Sequence, residues 1–240
     1  MPTVRDLGLM AAAVYESPGA AGYDVKGWAR ARSHTATGFF NGFQAATFIG
    51  GGETVLAFRG TAQTMDGVAD LTLGVGMNST YFAAGDDYAF QYRHLPNVYV
   101  CGHSLGGAIA QVVANRGRFK FVTFNAPGVA VVASRNWDEL AIGAVIGTLK
   151  IRAAGMVVSA LLHPVQAAQD VAAAFRTAHG LNVCLNFDAV SQIGVHYGKV
   201  LRISGTSTNP ATEHRMATVN SVLRKGGSGQ VVGDMEGSGI

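Results

Sequence analysis

The sequence predicts an α/β domain with a mostly parallel central sheet flanked by helices, and three observations carry that reading. From Asn97 to Gln111 a β-branched and aromatic strand, Val98 to Cys101, runs through a glycine turn into an apolar, alanine-rich helix start. Further strand candidates follow at Phe121 to Phe124, Leu181 to Asn186 and Lys199 to Ser204, and one precedes at Thr54 to Phe58. The last of these is a nearly continuous apolar run, as a strand buried on both faces should be. Finally, 240 residues, 48% of them hydrophobic, suffice for one large domain that buries its core without staples.

In chain order, residues 3 to 16 form a helix candidate. Met1 to Tyr15 hold one Arg and one Asp and lack both a basic n-region and a small-residue cleavage site. The segment therefore reads as a first helix and not as a Sec-type signal peptide, leaving a cytoplasmic location or export by a signal-independent route. Pro18 to Tyr23 is a turn that releases the chain into an extended region with Phe39, Phe40, Phe43 and Phe48. Gln44 to Gly60, with Gly51 and Gly52 at its centre, carries a hairpin signal. A helix is expected from Tyr81 to Arg93.

Gly102-His103-Ser104-Leu105-Gly106 then has the form of a nucleophile elbow. A serine on a sharp strand-to-helix turn sits in strained backbone, and residues two positions away must be small. The turn points the Ser104 hydroxyl out at the carboxyl edge of the sheet, while the Leu105 N–H, opening the helix, faces the place where an oxyanion would form. In a chain with 32 glycines the pattern alone is weak. The strand before it, the helix after it and Gly107, which lets the two pack closely, give it weight. Thr61 follows Gly60 at the carboxyl end of a buried strand, where its N–H and hydroxyl could serve as a second oxyanion donor; an ordinary strand-ending turn is the alternative.

At this point a resemblance becomes specific. Ala57-Phe58-Arg59-Gly60-Thr61, Asp66-Gly67-Val68-Ala69-Asp70-Leu71, Gly102 to Ala108 and Val122-Thr123-Phe124-Asn125-Ala126-Pro127-Gly128 resemble successive signatures of the class 3 lipase family of α/β-hydrolases. The resemblance covers most of Thr54 to Leu223. It implies an α/β-hydrolase fold, Ser104 as the acyl-accepting nucleophile, Thr61 and Leu105 as the oxyanion hole, and an acid and a histidine following in that chain order. Members usually carry a longer stretch, with a lid helix, where this chain has only Met65 to Pro96.

The missing mass lies later. Residues 137–175 are rich in Ala and Val and nearly uncharged, so their helices would be apolar almost all round. A helical cap over an acyl pocket, able to touch a lipid surface transiently, is the favoured reading. A membrane span is the rival, but the longest charge-free run, Ala153 to Gln169, contains Gly155, His163 and Pro164 and falls short of the roughly 20 apolar residues a span needs.

Asp188 follows the strand Leu181 to Asn186 at its carboxyl end, where active-site groups of open α/β sheets collect, so it is the candidate acid, with a turn-capping aspartate as the alternative. Asp138 and Asp170 are less well placed. For the base, His214 competes with His196. His196 lies in an alternating segment leading into the strand Lys199 to Ser204, whereas His214 follows the turn Thr208 to Ala211 and opens a helix bearing Met216 and Val219. A loop after the last strand can swing an imidazole over the sheet edge, and the resemblance also prefers a histidine there. His103, beside the nucleophile, reads as a packed, hydrogen-bonded core histidine with its ring turned from Ser104.

These residues describe a serine carboxylic-ester hydrolase, most simply a lipase with a lipid or other ester as substrate. A phospholipase, or a silent hydrolase fold that binds lipid or a protein partner, are the alternatives. The net charge of +3 is small and its basic residues are scattered, which gives nucleic acid no footprint. No cofactor or metal is expected, since no phosphate loop, dinucleotide fingerprint or His-Glu-x-x-His occurs. Cys101 and Cys184 fall on strands about 9.6 Å apart if the Phe121 strand lies between them, too far for a disulfide. One domain, residues 1–225, and a flexible glycine-rich tail, 226–240, complete the expectation.

Overall fold

A computed structural model describes residues 1–36, 42–60, 80–129 and 179–225. Thr61, Asp66 to Leu71, Asp138, His163, Asp170, the expected cap at 137–175 and the tail at 226–240 lie outside the described residues. The described strands make one seven-stranded sheet whose spatial order follows the chain. They are β1 (Ala29–Thr35), β2 (Gln44–Gly50), β3 (Glu53–Phe58), β4 (Val98–His103), β5 (Lys120–Phe124), β6 (Gly180–Leu185) and β7 (Lys199–Ile203). β1, β2 and β3 pair antiparallel, and every pairing from β3 to β7 is parallel. This is the mostly parallel sheet that an α/β-hydrolase fold requires.

Helices α1 (Val4–Ala13) and α5 (Met216–Lys225) cover one face, while α2 (residues 80–90) and α3 (Leu105–Gly117) cover the other. Alternation along β3 serves both. Leu56 and Phe58 join Phe82, Tyr88, Ile109 and Val113, whereas Val55 and Ala57 join Leu7, Met10, Val219 and Leu223. A strand that must satisfy two apolar layers has no polar side to show, which is why Thr54 to Phe58 reads as an unbroken apolar run.

α1 begins at a capping box in which the Asp6 N–H donates to Thr3 Oγ1 at 3.1 Å and the Thr3 N–H donates to Asp6 Oδ2 at 3.0 Å. It stops at Ala13, three residues before the expected end, and so releases Tyr15 from the helix. The extended region contains a strand that the sequence does not announce. β1, Ala-Arg-Ala-Arg-Ser-His-Thr, is an edge strand exposed on most of its length, with a register shift between Arg30 and Arg32. No apolar alternation marks it because neither face is deeply buried. Cys101 and Cys184 are buried free thiols with β5 between their strands. Among the described residues no helix is long and apolar enough to cross a membrane.

Candidate active site

β4 ends at His103 and α3 begins at Leu105, leaving Ser104 as the single residue of the turn, with φ 56° and ψ −128°. Such a backbone costs a non-glycine residue about 1–3 kcal/mol and persists only when its surroundings enforce it. The Ser104 N–H donates to the Phe124 carbonyl on β5 at 3.1 Å, and the Ser104 carbonyl accepts from Gly107 at 3.0 Å and Ala108 at 3.1 Å. Neither Gly102 nor Gly106 has a positive φ, so their smallness serves close approach. A Cβ on Gly106 would stand 2.1 Å from the Phe58 carbonyl oxygen, and one on Gly102 would stand 2.3 Å from the Gly106 carbonyl oxygen. β3, β4 and the start of α3 thus meet backbone to backbone at the elbow. As the first residue of α3, Leu105 has an N–H with no carbonyl one turn behind it to bond.

Asp188 follows β6 after a two-residue turn and is fully buried. The 3₁₀ turn Val190–Gln192 grips it: Oδ1 accepts from the Val190 N–H at 3.3 Å and Oδ2 from the Ser191 N–H at 2.8 Å. Burial alone would raise its carboxyl, but the hydrogen bonds from His214 and Ser191 together outweigh burial and hold it below the usual carboxylate value.

His214 closes a short helix, α4 (Pro210–His214), instead of opening the last one; Arg215 is extended and α5 starts at Met216. Asn209 caps α4, its Oδ1 accepting from Ala211 at 2.9 Å, and Pro210 fits the first turn, where its missing N–H costs nothing. The imidazole is bonded on both sides. Nδ1 lies 2.8 Å from Asp188 Oδ1, and Nε2 lies 3.0 Å from Ser104 Oγ. An ionised carboxylate only accepts, so Nδ1 carries the proton and Nε2 is left to accept from the Ser104 hydroxyl. Ser104, Asp188 and His214, chosen from the sequence, therefore stand together at the carboxyl edge of the sheet.

His196 stands apart, its Nε2 2.8 Å from the Ala126 carbonyl; burial lowers its pKa. His103 is a buried, hydrogen-bonded histidine, as expected, but its partners tie it to the site. Its Nε2 donates to the His214 carbonyl at 2.6 Å and its Nδ1 lies 3.3 Å from the Tyr15 hydroxyl. Burial, reinforced by the neighbouring His214, lowers its pKa to about 3, so it is neutral.

Asn125 was not singled out by the sequence reading. Fully buried, it donates from Nδ2 to the Glu213 carbonyl at 2.7 Å and accepts on Oδ1 from the Leu185 N–H at 2.9 Å. It thereby fastens Glu213, the residue before His214, to Leu185 at the end of β6, the strand that leads to Asp188. Its φ of 45° is one that asparagine tolerates better than most side chains, and an Asn directly after a buried strand was the available signal. Glu213 is also buried, its Oε1 accepting from Thr206 at 2.8 Å and Ser207 at 2.7 Å, which fixes the approach to α4. Among the described residues no cluster of His, Cys, Asp and Glu could hold a metal ion.

The chain is similar to several known proteins. Lipase ZK262.3 of Caenorhabditis elegans is 37% identical over 87 residues, and the match spans 28% of this chain and only 24% of that protein's length. The solved structure of the Lip2 lipase from Yarrowia lipolytica covers 88% of this chain and 80% of its own, with TM-score 0.48 and 16% identity. That of the Rhizomucor miehei triacylglyceride lipase covers 91% and 88%, with TM-score 0.48 and 16% identity. A model of the phospholipase-like family, described as the Tle-like phospholipase domain, matches residues 8–206. With that match running over most of its length, the chain belongs to the Tle-like phospholipase domain family.

Proposed function

We propose that the protein is a serine carboxylic-ester hydrolase acting on acyl lipids. The observation that carries the reading is the doubly bonded His214, with Asp188 at 2.8 Å on one side and the strained Ser104 at 3.0 Å on the other. His214 takes the hydroxyl proton as Ser104 Oγ attacks the ester carbonyl, and Asp188 stabilises the resulting imidazolium. The Leu105 N–H, with Thr61, holds the oxyanion. The imidazolium then protonates the leaving alcohol as the ester C–O bond breaks, giving the acyl-enzyme. Water, deprotonated by His214, attacks that ester; the acid leaves and Ser104 regains its proton.

Residues 1–225 act as one hydrolase unit, with residues 137–175 as an apolar cap over the acyl chain that touches the lipid surface transiently. Lipase is the first reading of the substrate, and the family's description favours phospholipid as the second. Triacylglycerol emulsion and phosphatidylcholine vesicles, offered separately, distinguish them by which releases fatty acid. The chemistry itself is tested by a fluorophosphonate probe. Wild type is expected to be labelled and Ser104→Ala to lose both labelling and turnover; unlabelled, well-folded wild-type protein would leave a lipid-binding module in its place.

A further inference from the structure

Tyr15, at the exit of α1, accepts a hydrogen bond from the Gly60 N–H at 2.9 Å and lies 3.3 Å from His103 Nδ1. His103 Nε2 lies 2.6 Å from the His214 carbonyl oxygen. The direction of these bonds follows from chemistry. A carbonyl oxygen can only accept, so His103 carries its proton on Nε2. Being neutral, the ring then has a bare Nδ1, which the Tyr15 O–H must fill; the Tyr15 oxygen keeps its lone pairs for Gly60. The chain runs one way, Gly60 N–H to Tyr15 O–H to His103 N–H to His214 carbonyl.

Its two ends matter for the ester-cleaving reading of the site. Gly60 immediately precedes Thr61, the proposed oxyanion donor, and its backbone is seated against the elbow: a Cβ there would lie 2.6 Å from the Tyr15 oxygen and 2.7 Å from the His103 carbonyl oxygen. The other end holds the main chain of the base itself, whose ring lies against that of His103 with centroids 4.8 Å apart. Burial pushes the pKa of the Tyr15 hydroxyl up to about 12, against the opposing Gly60 N–H and Arg59, which lies over its ring at 5.3 Å to the centroid, so the hydroxyl keeps the proton it donates.

We propose that Tyr15 and His103 are positioning residues that set the oxyanion segment and the base relative to each other through this chain. The proposal rests on the triad reading above. Neither residue touches the reacting atoms, so each acts through geometry: a misplacement of about 1 Å at a reacting group costs on the order of a hundredfold in rate, and partial slackening costs less.

The test is steady-state hydrolysis of p-nitrophenyl butyrate by full-length wild type, Tyr15→Phe, His103→Gln and the double variant, each corrected for the fraction labelled by fluorophosphonate and accompanied by its Tm. Tyr15→Phe keeps the ring and removes only the hydroxyl; His103→Gln keeps an amide donor for the His214 carbonyl, but its oxygen sits on that same terminal amide and not at the Nδ1 position that faces Tyr15. For each we expect kcat per labelled site to fall roughly tenfold with KM within twofold, and the double variant to fall no further than the worse single one, because a broken chain cannot be broken twice. A merely structural pair would lower Tm and the labelled fraction while leaving kcat per labelled site unchanged, or would give multiplicative losses in the double variant, and either result overturns the proposal. Should Tyr15→Phe fail to fold, His103→Gln alone decides by the same split between kcat and KM. Wild-type protein that is neither labelled nor active overturns the ester-cleaving reading and this one with it, whereas active wild type with an equally active Tyr15→Phe overturns only the chain.

Discussion

Two strand-end side chains decide where the histidine stands. His103 from β4 and Asn125 just beyond β5 grip consecutive carbonyls, those of His214 and Glu213, from inside the sheet. Asn125→Ala deletes both of its bonds, leaves the Leu185 N–H and the Glu213 carbonyl unpaired in the interior, and puts alanine at φ 45°. A loss of about 2–4 kcal/mol is expected from urea unfolding, with activity falling at temperatures where the variant is still folded. At this scale the sequence was informative wherever a residue announces its role by chemistry and local spacing. Ser104 sits in a patterned turn, Asp188 follows a strand, and His214 follows a proline turn after the last strand. Tyr15 and Asn125 were not legible as site residues, because what recruits them is contact between positions 88 residues apart in one case and 88 in the other. No local pattern encodes such a meeting.

At the level of elements, α1 matters to the site through where it ends. A helix running on to residue 16 would keep Tyr15 in its cylinder; stopping at Ala13 turns that residue toward Gly60. Its beginning is secured by the Thr3 and Asp6 capping box. Thr3→Ala is expected to cost about 1 kcal/mol, read as a lower urea midpoint with an unchanged slope. The helices and inner strands were legible from their apolar faces, and their ends were not. Residues 81–93 were expected to be helical and 80–90 are; residues 3–16 shortened to Val4–Ala13; and the last helix, expected to open at His214, starts at Met216, with α4 lying where a turn was expected. β1 escaped notice for the opposite reason, having too little buried surface to impose alternation on its sequence. The glycine-rich hairpin of β2 and β3, by contrast, declared itself through Gly51 and Gly52, both at positive φ.

For the molecule as a whole, stability against acid has a histidine part, from His103 and His196, and a carboxylate part, from Asp188. His103 has a folded pKa lowered to about 3, so as pH drops below the ordinary histidine value of about 6.5 the unfolded chain takes up a proton that the native one refuses, and stability is lost progressively down to the lowered value. Asp188 is also depressed when folded, but from a carboxylate's ordinary value; its contribution is intact above about pH 4 and is lost as pH falls through the lower native value. Tm measured against pH should therefore fall less steeply between about pH 6.5 and 4.5 in His103→Gln, where His196 still contributes, and less steeply only below about pH 4 in Asp188→Asn. Coincident changes in the two variants would contradict the assignment.

The two rims of the sheet have a colloidal consequence. An open strand edge invites a second chain to continue the ladder, and among the described residues the sheet ends on β1 and β7. The first carries Arg30 and Arg32 around its register shift, and the second carries exposed Lys199 and Arg202, so positive charge guards both. Two molecules approaching rim to rim repel one another before their backbones can zip, which opposes edge-to-edge association in a chain of so apolar a composition.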